Sequence, residues 1–238
     1  MTTNEGCARV IELYDEGEYG LAVVLARQLL QDAPEDGRLL EAYGVACCAV
    51  KDFAAGRDAL EQAELLVPLR PAAQFALATC LALDADHDLA ALIYEHLGTT
   101  VRATNLLASV ASRLGALGRY ESALEVCQRI NRLDPNHHQA HFGIAYYLER
   151  LGYPAAALVG PLERAAALAP HLVSYRVNLG FALASLNRLS ESCTLLADVP
   201  PEEVGCPCAL RRMADCLERG GLHGKSLACR VRLSCLLQ

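Results

Sequence analysis

Four prolines limit what this chain can fold into. Pro34, Pro68, Pro135 and Pro170 close similar phrases, QLLQDAP, EQAELLVP, INRLDP and RAAALAP. They stand 34, 67 and 35 residues apart, or one, two and one times a period close to 34. A fixed period of that length marks a solenoid of helix–turn–helix hairpins, because each hairpin can bury its apolar stripe only on its neighbours. Periodicity, more than residue propensity, thus predicts about fourteen helices of 10–15 residues in antiparallel pairs, with no sheet.

Within each period the same punctuation recurs. Gly17-Glu18-Tyr19 precedes Ala22, Asp52-Phe53 precedes Gly56, and Gly118-Arg119-Tyr120 precedes Ala123. An aromatic after a turn, with a small residue three places on, lets two helices approach while the ring fills the gap beside the turn. Apolar-plus-small pairs lie upstream: Tyr43-Gly44, Leu77-Ala78, Val110-Ala111, Ile144-Ala145, Leu179-Gly180 and Met213-Ala214. Ala63, Ile130 and Ala165 follow downstream. This pattern resembles the tetratricopeptide repeat over nearly the whole chain. The resemblance implies an all-α, right-handed α-solenoid of about seven helix-turn-helix repeats.

The register divides one array, 1–238, into repeats at about 3–36, 37–70, 71–103, 104–137, 138–172, 173–205 and 207–238. Breaks at 98–103 and 199–207 are candidate bends. Local departures are visible. Gly6 and Arg9 stand where the first helix expects core residues, so that helix is expected to fray. The third repeat lacks the closing proline and reaches Gly98 early. The fifth has an extra residue near Gly152-Tyr153-Pro154, and its Pro161 should kink the second helix or shift its start. Pro200-Pro201 cuts the sixth short, and the seventh has His223 at the aromatic turn position.

In the family it resembles, first helices line a concave groove. That register turns Phe75 and Thr79 toward the groove, then Asn105, Ala108 and Ser112, then Gln139, Phe142 and Tyr146. Ser174, Val177, Asn178 and Phe181 continue it, and Arg211 and Arg212, with Asp215 and Arg219, give the last repeat a charged stretch able to receive an acidic segment. Three of the four phenylalanines fall on this wall. Spaced rings and amides suit an extended or helical peptide, since rings bury area at low entropic cost and amides hold a backbone. The same rings could instead pack between adjacent helices. The lysine, asparagine and arginine by which some family members grip a C-terminal carboxylate are missing: Glu41, Val45, Phe75 and Thr79 stand in the second and third repeats.

Other chemistry is thin. His137, His138 and His141 have helical spacing for a metal, yet Asp134-Pro135-Asn136 puts His137 in a turn and His141 at a core position. Cys206 and Cys208 with Cys216 or His223 could ligate zinc, but a lone Cys-x-Cys is poor spacing for it. With no predicted strand there is no phosphate loop, and no nucleophile stands beside a base in a recognised motif. No enzyme, cofactor or metal is expected.

Composition bounds the partners. Residues 1–103 carry 17 acidic and 7 basic side chains and residues 104–238 carry 11 and 14, which opposes nucleic-acid binding but permits head-to-tail attraction between copies. No apolar run of about 18 residues exists to span a membrane. An acidic, non-hydrophobic opening and eleven cysteines predict a reducing, cytoplasmic setting. The expected role is a non-catalytic adaptor or chaperone-like module holding a protein or peptide partner. It is similar in this to repeat-built secretion chaperones. A self-assembling scaffold is the alternative and a metal or redox sensor the third reading.

Overall fold

A computed structural model describes residues 3–237. Among them are fourteen α-helices and one short 3-10 turn, with no strand. Two compact units divide the chain, Met1–Arg119 and Tyr120–Gln238. The N-terminal unit holds α1 (Thr3–Asp15), α2 (Tyr19–Asp32), α3 (Gly37–Ala49), α4 (Phe53–Leu66), α5 (Pro71–Leu83), α6 (His87–Thr100) and α7 (Thr104–Ala116). The C-terminal unit holds α8 (Tyr120–Leu133), α9 (His138–Arg150), α10 (Ala155–Leu168), α11 (Val173–Ser185), α12 (Leu189–Ala197), α13 (Pro207–Arg219) and α14 (His223–Leu236). Thirteen of these helices have 13 or 14 residues and α12 has 9. The division falls in the turn inside the fourth repeat, whereas the sequence marks 98–103 and 199–207.

The period is written into the backbone at the turns. Gly17, Lys51, Ala85, Gly118, Gly152, Asn187 and Gly221 all have φ between 60° and 84°. Each follows a first helix, and the next residue's N–H returns to a carbonyl five places back: Glu18 to Leu13, Asp52 to Cys47, Asp86 to Leu81, Arg119 to Leu114, Tyr153 to Leu148, Arg188 to Leu183 and Leu222 to Leu217, all at 2.8–3.0 Å. This left-handed closure satisfies carbonyls that a helix end leaves orphaned and reverses the chain in the fewest residues. Glycine adopts it freely and asparagine tolerates it. Alanine does not, because its Cβ crowds the following carbonyl. Ala85→Gly is therefore expected to raise stability by about 0.5–1 kcal/mol, read as a higher urea midpoint at unchanged slope.

Three residues into each second helix the small position is buried, as Ala22, Gly56, Ala90, Ala123, Ser192 and Ser226 show. Leu158 occupies that place in the fifth repeat, where the extra residue of 152–154 delays α10 to Ala155 with Pro154 as its N-cap. Pro161 does not shift that start and sits inside the helix. Gly98 likewise does not end α6, which continues to Thr100. Pro200 and Pro201 do stop α12 early, and a 3-10 turn at Pro201–Glu203 bridges to α13. At the seventh turn His223 Nδ1 lies 2.7 Å from Glu218 Oε1, a polar closure where other repeats use a ring.

In the N-terminal unit the first helices α1, α3 and α5 pack side by side, each against its own second helix. In the C-terminal unit α11 and α13 do the same, and Val173, Val177, Phe181, Leu196, Leu210, Met213 and Leu217 form the core between them and α12. First helices are thus the elements free to present a wall, while second helices back them.

Candidate functional site

The wall is best developed in the C-terminal unit. Along α9, Ala140, His141, Ile144, Ala145 and Tyr147 are buried. Phe142, Tyr146 and Glu149, four and three residues apart, form the adjoining stripe, as helical spacing requires. The Phe142 ring is half-buried and lies nearly parallel to Tyr175 of α11, with centroids 4.7 Å apart. Tyr175 hydroxyl and His138 Nδ1 share a hydrogen bond of 2.9 Å, which fixes the stack from its far side. Burial, with His137 and His171 nearby, holds His138 below the usual imidazole range. Tyr146 is 44% exposed, its ring set edge-on to Tyr147 at 5.1 Å.

Facing this stripe, α11 contributes Asn178, Phe181, Ala182 and Ser185, and α13 contributes Arg212. Together with Leu158 and Leu162 of α10 and Tyr153, they enclose a cavity of about 140 Å³. Its floor is apolar. Asn178 Nδ2 donates to its own helix at Ser174 O, 2.7 Å, and Ser185 Oγ donates to Phe181 O, 2.9 Å, which leaves the amide oxygen of Asn178 for a ligand. The Arg212 guanidinium lies 4.4 Å over the Phe181 ring. Among the described residues neither Arg212 nor Glu149 has an ion-pair partner, so the socket lining carries one charged group of each sign outside any ion pair. Such a site can bury an apolar side chain and orient a charged one beside it.

Of the residues read from the sequence as groove-facing, Phe142, Tyr146, Asn178, Phe181 and Arg212 share this cavity. Two of the α11 positions differ from expectation. Val177 is only 4% exposed and belongs to the core between α11, α12 and α13, out of reach of a ligand. Phe181 is only 6% exposed, in that same core, so it forms the socket floor under Arg212 and is no free ring. A charged substitution at Phe181 would thus test folding before it tested binding. Gln139 and Arg211 are exposed on α9 and α13 but lie outside the cavity lining. Sequence reasoning misses Glu149, Tyr153 and Ser185. Glu149 follows Phe142 by seven residues on the same stripe, a signal the pattern holds, while the inserted residue obscures Tyr153.

The N-terminal unit uses its wall differently. Phe75 of α5 packs on Tyr94 of α6 at 5.4 Å. Thr79 Oγ1 is spent on Phe75 O at 2.8 Å and the Tyr94 hydroxyl at 2.9 Å. Asn105 and Ser112 are exposed on α7, and the Asn105 side chain accepts from Leu106 N. A second cavity, about 180 Å³, opens between α1, α3 and α5, lined by Val10, Ile11, Tyr14, Val45 and Ala73 with Glu41 at its side. Glu41 is buried, accepting from the Arg38 guanidinium at 2.8 Å and from the Arg70 N–H at 2.6 Å.

The histidine trio is structural. His137 caps α9 by accepting from Ala140 N at 3.2 Å, and buried His141 bonds Pro135 O at 2.9 Å. Among the described residues no three histidine, cysteine or acidic groups converge as metal ligands. Seven cysteines are buried, where desolvation raises Cys7, Cys47, Cys193, Cys216 and Cys229 above the ordinary thiol range and carries Cys127 to about 12. They behave as small hydrophobes.

No protein-family model and no curated protein matches the sequence. Solved structures do match. The protein MamA of MSR-1 is 22% identical, with 71% of this chain and 97% of that one covered at a TM-score of 0.59. YrrB, described as a tetratricopeptide-repeat protein with an unusual peptide-binding site, is 16% identical over 71% of this chain and 88% of that one, TM-score 0.59. A tetratricopeptide-repeat protein from Parabacteroides merdae is 10% identical but covers 98% of this chain and 93% of its own, TM-score 0.63. The chain is a helical repeat protein with the tetratricopeptide fold.

Proposed function

We propose that the chain is a non-catalytic interaction module that holds a partner segment on the α9–α11–α13 face of its C-terminal unit. The observation that carries this reading is the socket itself: Phe142, Tyr146 and Phe181 converge with Asn178 around one cavity, beside an arginine that has no ion pair among the described residues. An apolar side chain would enter over the Phe181 floor, its backbone would meet the Asn178 amide, and an acidic neighbour would pair with Arg212. YrrB's description as peptide-binding favours this use of the fold. Free thiols throughout fit a reducing, cytoplasmic setting. Among the described residues no helix is long and apolar enough to cross a membrane.

Selection from a random displayed-peptide library tests the proposal and needs no partner in hand. The expected consensus is a large apolar residue within two positions of an aspartate or glutamate. Consistent enrichment of basic peptides, or of none, would refute it.

A second reading has its own observation. On α14, Leu227 and Val231 are 62% and 57% exposed beside Lys225 and Arg230, and that helix has no acidic residue. On α2, Leu21 and Val24 are 56% and 55% exposed, and the neighbouring α1 carries Glu12 and Asp15. These surfaces would attract between copies, head to tail. Sedimentation should then show mass rising with protein concentration at low salt and falling back at high salt. A constant monomer across both series removes this reading.

A further inference from the structure

Three cysteines are exposed, and two of them touch. Cys206 and Cys208 flank Pro207 where α13 begins, and their Sγ atoms lie 2.7 Å apart. The local backbone explains the contact. Cys206 is the N-cap, extended at φ −94° and ψ 117°, and Pro207 is the first helical residue, with φ fixed by its ring. The chain therefore bends between the two cysteines and folds both side chains to one side. Chain connectivity and the proline keep them there, which raises the effective concentration of each thiol toward the other.

We propose that Cys206-Pro207-Cys208 is a thiol–disulfide exchange site that takes a low-molecular-weight disulfide of the glutathione type as its co-substrate. Cys206 thiolate attacks one sulfur of the disulfide RSSR, forming the mixed disulfide Cys206–S–S–R and expelling RS⁻, which takes up a proton. Cys208 then loses its proton to solvent and attacks Cys206 Sγ. The Cys206–Cys208 disulfide forms and the second RS⁻ leaves, to be protonated in turn. Two protein thiols are oxidised by two electrons and RSSR is reduced to two RSH.

The two cysteines are not equivalent. Cys206 is the N-cap residue, set beside the unpaired N–H groups of the first turn, and the contact it shares with Cys208 pulls Cys206 below the ordinary thiol range while Cys208 is pushed up. A thiolate at a helix start is favoured by the same orphan N–H groups that cap a helix. Cys206 is thus the attacking thiol and Cys208 the resolving one. The molecule supplies its own control in Cys235, which is exposed and has no second thiol in contact among the described residues. The other close pair, Cys48 and Cys80 at 3.3 Å, has Cys80 1% exposed and is shielded from a disulfide in solution.

The experiment uses the reduced full-length chain, oxidised glutathione at neutral pH, an acid quench and peptide mass mapping. The expected product is a peptide spanning Cys206 and Cys208 that is lighter by two hydrogens, with glutathione retained on Cys235. In Cys208→Ser, one glutathione should remain on Cys206. In Cys206→Ser, Cys208 should gain glutathione several-fold more slowly than Cys206 does in Cys208→Ser. Both positions are exposed, so far-ultraviolet circular dichroism should be unchanged. A stable glutathione adduct on Cys206 in the wild-type chain, reaction at Cys235 alone, or equal rates in the two serine variants would each overturn the proposal.

Discussion

Gly220→Ala is expected to destabilise the C-terminal unit by about 2–3 kcal/mol, although it adds one methyl group at a helix end. Gly220 has an ordinary φ of −84°, so backbone strain is not the cause. Space is: a methyl group there would lie 2.1 Å from Cys193 Sγ, which is buried between α12 and α13 and donates to Cys216 O at 3.5 Å. Alanine's better helix propensity, worth up to about 1 kcal/mol, opposes the clash without cancelling it. Cys193→Ala alone should cost about 1–2 kcal/mol by leaving a small void. In the double variant the new methyl fills the space the sulfur left, its nearest neighbour becoming the β-carbon of residue 193 at 3.3 Å. The double variant should thus lose less than the two singles combined, by about 1–2 kcal/mol in urea denaturation. Strict additivity would show that the two helices are not locked at this point. The device recurs: Cys48 sits over Gly56 and Cys127 over Gly143, each sulfur filling the notch of a facing glycine.

Arg212→Glu should weaken binding of a selected acidic–apolar peptide at least tenfold, or about 1.4 kcal/mol, while leaving the unit folded. Arg212 is exposed and rests on the Phe181 ring, an interaction worth about 0.5–1 kcal/mol at such a site, so its loss is tolerable. Reversal sets a carboxylate against both the ring face and the incoming acid. Arg212→Ala, which removes the attraction without adding repulsion, should bind more weakly than wild type but more strongly than Arg212→Glu. Added salt should weaken the wild type and have little effect on the alanine variant, since exposed charges are screened within about 10 Å at 0.1 M. Equal salt dependence in both would place the acidic contact elsewhere. Substitutions at Arg212 and Tyr146 are better probes than Phe142→Glu with Phe181→Glu, because a carboxylate at buried Phe181 would stay unpaired in the core.

Repeat number, helix lengths and turn positions were legible because they depend on periodic, local signals. Pro34 and Pro68 mark repeat ends, and Gly17, Gly118, Gly152 and Gly221 mark left-handed turns. Lys51 and Ala85 occupy the same turns without a glycine signal; Asp52-Phe53 and the 34-residue spacing point to the first, and the spacing alone to the second. The cavity was half legible. Phe142 and Tyr146 followed from α9 alone, since one helix fixes their common stripe. Val177 and Phe181 depend on how closely α11, α12 and α13 approach, and that distance is set by contacts such as Gly180 against Leu196, which no linear pattern reports. Cys206 and Cys208 are visible as a Cys-x-Cys motif whose spacing is poor for zinc, but the linear pattern does not report that the chain turns at Pro207 and brings the two thiols into contact with each other.

The site of peptide contact is tested most directly by photo-crosslinking. A photoreactive residue is placed at Tyr146, on the socket, and separately at Glu125, exposed on α8 and away from the cavity lining. Under saturating selected peptide, efficient crosslinking is expected from position 146, abolished by Arg212→Glu, and none from position 125. Crosslinking from 125 equal to that from 146, or crosslinking at 146 that survives Arg212→Glu unchanged, would contradict peptide binding at the socket.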